Sequence, residues 1–183
     1  MKKILEINKL HKEINKDFKN SLNKNIKCGH FGIKILRDGS WLYQESPIKR
    51  MEIVKLFSSV LKLENDGVYY LETPVEKGII DVEDAPFTAI SMLVEKTNGF
   101  QSLIFITNLG DKVIINDKNP LYIDLNKEKT EYFPYIIVRK NLKALIVRSV
   151  YYDLVNLAVN DSNDPSLYGV WSNNIFFELG RID

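Results

Sequence analysis

Apolar residues recur at Ile7, Leu10, Ile14, Phe18 and Leu22, three and four positions apart, with Lys, Asn and Glu between them. That period predicts an amphipathic helix over residues 3–24, packed on the body of the protein. Cys28-Gly29-His30-Phe31-Gly32 breaks it. Residues 33–43 then alternate around Arg37-Asp38-Gly39, a strong hairpin signal because glycine accepts the positive φ that the turn demands. Ser46-Pro47 reads as the cap and first residue of a second helix. Met51, Val54, Phe57, Val60 and Leu61 form its buried face, and Asn65-Asp66-Gly67 ends it.

Five strand-like runs follow: VYYLE, GIIDVE, FTAISMLVEK, SLIFITN and KVIIN. Turns at Thr97-Asn98-Gly99 and Leu109-Gly110-Asp111 make the last three an antiparallel meander. LYIDL and PYIIVRK add two strands. Residues 142–160 carry Leu142, Leu145, Ile146, Val150, Leu154, Leu157 and Ala158 at helical spacing and predict a long helix. GVWS and IFFEL close the chain. A hairpin, a helix and a Gly-Val-aromatic strand occur at 33–72, and a similar series recurs at 122–179. The expected fold is therefore α+β: an N-terminal helix (1–25), a first α+β half (26–88), and a second β-rich half with a long helix (89–183). The two antiparallel-sheet-plus-helix halves are read as a duplication with a ligand groove between them.

The composition excludes some classes. At 183 residues, 45% hydrophobic and 27% charged, the chain is a folded globular domain rather than a disordered one. A formal charge of +1 argues against a DNA-coating protein. One cysteine, Cys28, gives no intrachain disulfide, and no run approaches the roughly 18 apolar residues of a membrane helix. The Lys-Lys start is followed by Glu6, Asn8 and Lys9 where a signal peptide would be apolar. The expected location is cytoplasmic.

Candidate chemistry is sparse. Two histidines and one cysteine give no zinc set, so no metal and no cofactor are expected. Neither phosphate-loop motif is present. Arginine stands out, because lysine outnumbers it 20 to 5. Arg37, Arg50, Arg139 and Arg148 fall within structured elements, as candidates for carboxylate or phosphate contacts or for internal pairing with Asp84, Glu72 or Glu76. Trp41, Tyr43, Tyr69, Tyr70, Phe87, Tyr135 and Trp171 are mostly core aromatics by their alternation. Trp171, at a strand start, is the one read as facing a cleft.

Seven segments then occur in order: DGSWLYQESPIKR (38–50), YYLETPVEK (69–77), VEDAPF (82–87), TNLGD (107–111), PYIIVR (134–139), LKALIVRSVYYDLV (142–155) and GVWSNNIFFELG (169–180). Together they resemble the bacterial DUF1285 family (domain of unknown function 1285) over about residues 26–181. The resemblance implies two α+β halves, the second superficially similar to pleckstrin-homology folds. It also implies a groove for a nucleotide-like ligand, a role in signalling and no established enzymatic activity. The chain departs from the family pattern at NKNIK, where Trp and Pro are usual, and at Asn174, where glycine is expected.

The leading expectation is a non-catalytic regulatory protein binding a small anionic ligand in the groove. Arg50, Arg139 and Arg148 meet the anion; Thr73, Glu76, Thr107, Asn108 and Ser172 supply hydrogen bonds; and Trp171 stacks. A protein-interaction module using the pleckstrin-like half is the second reading. A hydrolase or transferase using Glu76 or Asp84 is the third.

Overall fold

The Asp38-Gly39 turn forms as its composition predicts. Gly39 takes φ +85° and the Asp38 carboxylate accepts the Ser40 N–H at 2.8 Å. The turn joins β1 (Gly29–Ile35) to β2 (Trp41–Tyr43), with Ile33 opposite Tyr43 and Ile35 opposite Trp41. This computed structural model describes residues 29–73, 76–97, 99–125 and 130–181. The helix expected over residues 3–24 lies outside the described residues.

The first sheet continues with β3 (Ser46–Pro47), β4 (Leu61–Leu63), β5 (Tyr69–Glu72) and β6 (Lys77–Val82), in the order β3-β2-β1-β6-β5-β4. Helix α1 (Met51–Ser59) connects β3 to β4. The second sheet is β10-β11-β12-β7-β8-β9. Its strands are β7 (Phe87–Thr97), β8 (Phe100–Thr107), β9 (Lys112–Ile114), β10 (Leu121–Leu125), β11 (Tyr132–Arg139) and β12 (Leu142–Ile146). Helix α2 (Arg148–Val155) leads to a third sheet of β13 (Val159–Asn160), β14 (Leu167–Ser172) and β15 (Ile175–Arg181). Each six-stranded sheet joins two antiparallel meanders along one parallel pair, β1 with β6 and β7 with β12.

This corrects the α+β expectation: the described residues are mostly β, with fifteen strands in three sheets and two short helices. The order of three strands, a helix and three strands does recur, but β6 closes onto β1 whereas β12 pairs with β7 and leaves β13–β15 as a separate sheet. The stretches 33–72 and 122–179 are therefore not equivalent sheet-plus-helix halves, and the pleckstrin-like description falls with them.

Two local readings fail for identifiable reasons. Residues 142–146 form a strand rather than the start of a helix. Strand β12 has β11 on one edge and β7 on the other, and Leu142, Ala144, Leu145 and Ile146 are all buried. A strand covered on both faces loses its alternation, so periodicity does not separate it from a buried helix. Ser46-Pro47 forms an edge strand, where proline's missing donor is tolerated. The preceding tight turn uses Gln44 (φ +46°) and Glu45 (φ +62°) instead of the usual Asn-Gly, so the sequence carries no turn signal there. Helix α1 starts five residues after Ser46, and Met51 is exposed rather than buried.

One apolar cluster runs through the three sheets, from Ile35 and Val82 through Phe87, Leu103, Phe105 and Ile136 to Val170 and Phe177. Helix α1 enters it through Val54, and Phe57 stacks on Trp41 at 6.4 Å between centroids. Leu109, in the turn that follows β8, belongs to the same cluster, so α1 and that turn face each other across the cleft described next.

Candidate functional site

Between α1 and the β8–β9 turn lies a cleft of about 420 Å³. One wall is the last turn of α1, with Lys55, Ser58 and Ser59; the other is Leu109, Gly110 and Asp111; Arg139, at the end of β11, closes the seam. Hydrogen bonds within the turn hold its wall in shape. Thr107 is 1% exposed, and its hydroxyl accepts the N–H groups of Leu109 (3.3 Å) and Asp111 (3.1 Å). The Gly110 N–H donates to the Thr107 carbonyl at 2.9 Å, and Gly110 takes φ +89°, a conformation that glycine adopts without strain. Asn108 locks the turn to the first sheet: its Oδ1 accepts the Thr88 N–H at 3.2 Å, and its Nδ2 donates to the Gly39 carbonyl at 3.2 Å.

The helix wall ends at carbonyls that need partners. Ser58 and Ser59 donate their hydroxyls to the Lys55 and Leu56 carbonyls at 2.9 and 2.6 Å. Arg139 Nη2 donates to the Ser58 carbonyl at 2.6 Å, a cation at a helix C-terminus, where the dipole favours it. Its Nη1 lies 3.4 Å from Asp111 Oδ2, and its guanidinium sits 4.9 Å from the Phe87 ring centroid. Arg139 thus ties α1 to the second sheet and still lines the cleft. Among the described residues, no ion pair or side-chain hydrogen bond engages the Lys55 ammonium.

The other expected site residues lie elsewhere. Arg50 is exposed at the N-cap of α1. Arg148, exposed at the start of α2, donates to the Tyr152 hydroxyl at 2.8 Å. The Thr73 hydroxyl exchanges hydrogen bonds with the Glu76 backbone, N–H to Oγ1 at 3.0 Å and Oγ1 to carbonyl at 3.2 Å, within the β5–β6 connection. Trp171 is exposed and packs edge-on against Phe176 at 5.3 Å. Ser172 is fully buried, accepting the Leu103 N–H at 3.0 Å and donating to the Ile115 carbonyl at 2.7 Å. Thr107 and Asn108 build the wall of the cleft. Of the expected set, Arg139 lines it. Lys55, Ser58, Ser59 and Gly110 were missed. Nothing in the sequence sets Lys55 apart from the other lysines, and Gly110 was legible as a turn glycine.

A second polar cluster holds the same seam. Asp84, 5% exposed, accepts the Tyr135 hydroxyl at 2.9 Å and lies 3.5 Å from Lys143 Nζ and 3.8 Å from Arg37 Nε. Arg37 also covers the Phe133 ring at 4.1 Å, and Lys143 covers the Tyr135 ring at 3.7 Å. Glu83 accepts the Arg37 N–H at 3.0 Å and pairs with Lys34 at 2.8 Å. The hydrogen bond from Lys34, with that from the Arg37 N–H, holds its carboxyl below the usual range. These acids anchor cations.

Burial, with Asp84 adding its charge, pushes the Tyr69 hydroxyl up to about 12. Burial, then Asp124 and Asp84, pushes Tyr122 up to about 12 as well. The unfolded chain ionises these groups first, near the ordinary value of 10.0. Their contribution to stability is therefore whole below about pH 10 and is lost as pH rises towards about 12. The denaturation midpoint should fall through that window in step with tyrosinate absorbance; a flat midpoint contradicts this.

Among the described residues, no group of three or more His, Cys, Asp or Glu is placed to hold a metal, and no helix is long and apolar enough to cross a membrane. Two adjacent family models match the sequence. Residues 23–85 match the N-terminal domain of DUF1285, a domain of unknown function, and residues 86–179 match its C-terminal domain. The chain belongs to the DUF1285 family. A crystal structure of a DUF1285 family protein from Silicibacter pomeroyi DSS-3 is similar, with 40% identity and a TM-score of 0.76 over 84% of this chain and 82% of that one. A DUF1285 family protein from Shewanella baltica OS155 is 26% identical with a TM-score of 0.52, over 68% of this chain and 91% of that one. No curated protein matches significantly. The two DUF1285 domain matches meet between residues 85 and 86, so the cleft draws α1 from the first and the β8–β9 turn and Arg139 from the second.

Proposed function

We propose that this DUF1285 protein is a non-catalytic regulatory protein that binds a small anionic ligand in the cleft between its two domains. Its setting is the cytoplasm, in keeping with its single cysteine. The observation that carries the reading is the pair of cations, Lys55 and Arg139, that face one cleft from two domains. Its volume of about 420 Å³ lies within the usual range for small-ligand sites. A ligand touching both walls binds better when the domains hold one mutual geometry, which is the differential affinity that signalling requires.

Lys55 is the residue to change, because Arg139 also supports the seam. Calorimetric titration with inorganic phosphate, pyrophosphate and nucleoside monophosphates is expected to find at least one binder. Lys55→Met should weaken that binder about tenfold, the loss of one charge-assisted hydrogen bond, and leave the melting temperature unchanged. A panel without binders, or a binder indifferent to Lys55→Met, contradicts the proposal.

A further inference from the structure

The cleft offers an unequal set of hydrogen-bonding groups, and that inequality narrows the ligand. On the donor side Lys55 has three N–H bonds, with no partner among the described residues. Arg139 has five, of which one meets the Ser58 carbonyl and one reaches Asp111 at 3.4 Å, long for a charged pair. These donors suit a phosphate. On the acceptor side, the Asp111 carboxylate is about half exposed, with one oxygen loosely held by Arg139. Ser59, exposed at the helix end, has committed its proton to the Leu56 carbonyl and presents lone pairs; Ser58 is buried and offers its carbonyl to Arg139.

A bare anion fits this set badly. It would sit beside Asp111, a like charge, and make no use of the Ser59 acceptor. A ligand with hydroxyl groups next to its phosphate reverses both effects, because each O–H finds an acceptor and Asp111 becomes a partner. No aromatic ring lines the cleft among the described residues; Phe87 lies beneath Arg139 and is fully buried, and Trp171 belongs to another sheet. A planar base would therefore gain no aromatic stacking. The geometry points to a phosphorylated polyol as the ligand class, with its phosphate on Lys55 and Arg139 and its hydroxyls on Asp111 and Ser59. This inference rests on the anion-binding reading above.

Three probes separate the two. Glycerol 3-phosphate and n-propyl phosphate share a carbon skeleton and differ in hydroxyls, and inorganic phosphate has no skeleton at all. The wild-type protein is expected to bind glycerol 3-phosphate at least fivefold more tightly than n-propyl phosphate. Asp111→Ala keeps the backbone bonds to Thr107. It should abolish most of that preference while tightening inorganic phosphate and n-propyl phosphate several-fold. Lys55→Met should weaken all three alike. Equal binding of the two organic phosphates by the wild type, or a preference that survives Asp111→Ala, overturns the polyol assignment and leaves anion binding standing. Failure of all three probes to bind overturns both.

Discussion

Replacing Asp84 with alanine is expected to lower the free energy of unfolding by about 3–5 kcal/mol, the range for breaking a buried ion pair from one side. Asp84 is 5% exposed and serves two cations and a phenol at once: Arg37 from the β1–β2 turn, Lys143 from β12 and Tyr135 from β11. Alanine leaves the Tyr135 hydroxyl, itself fully buried, with no acceptor, and leaves Lys143 as an uncompensated charge that is 20% exposed. Arg37, at 40%, can turn to water, which keeps the loss towards the lower end. Asp84→Asn retains an acceptor for Tyr135 and should lose less. Urea unfolding with an unchanged m-value measures both. A loss below about 1 kcal/mol for the alanine variant would show that the cluster does not hold the seam.

Ser172→Ala should cost about 2–3 kcal/mol, although it removes one oxygen atom. Its hydroxyl stands where the ladder between β8 and β9 ends, taking the Leu103 N–H and giving its proton to the Ile115 carbonyl. After substitution the Ile115 carbonyl still receives Asn173 Nδ2 at 2.8 Å, but the Leu103 N–H is left buried without a partner. That orphaned donor dominates the loss. Hydrogen exchange at Leu103 should rise with the fall in stability. An unchanged unfolding midpoint would mean that the β14–β15 hairpin is fastened to the second sheet by other contacts.

How far the sequence carried depended on whether a residue's partner was near in the chain. The hairpin at Asp38-Gly39, the meander turn at Leu109-Gly110-Asp111 and the closing strands were legible because their signals are local. Strand β12 was not. Its parallel neighbour β7 begins more than fifty residues earlier, and with both faces covered its pattern matched a helix. The turn at Gln44-Glu45 hid for the opposite reason, since its positive φ angles fall on residues that rarely take them. Arginine scarcity singled out Arg139, which lines the cleft, and equally Arg50 and Arg148, which are exposed away from it. Ser172 and Thr107 looked like ligand hydroxyls and are backbone partners. Nothing in one sequence separates a serine that meets a ligand from one that meets a distant strand.

Amide chemical-shift mapping locates the proposed anion site shared by α1 and the β8–β9 turn. Isotope-labelled protein would be titrated with glycerol 3-phosphate at low salt. Saturable shifts are expected at Lys55, Ser59, Gly110, Asp111 and Arg139, and their loss in Lys55→Met. Shifts centred instead on Trp171, Arg148 or Thr73, or none at saturating ligand, would contradict that site.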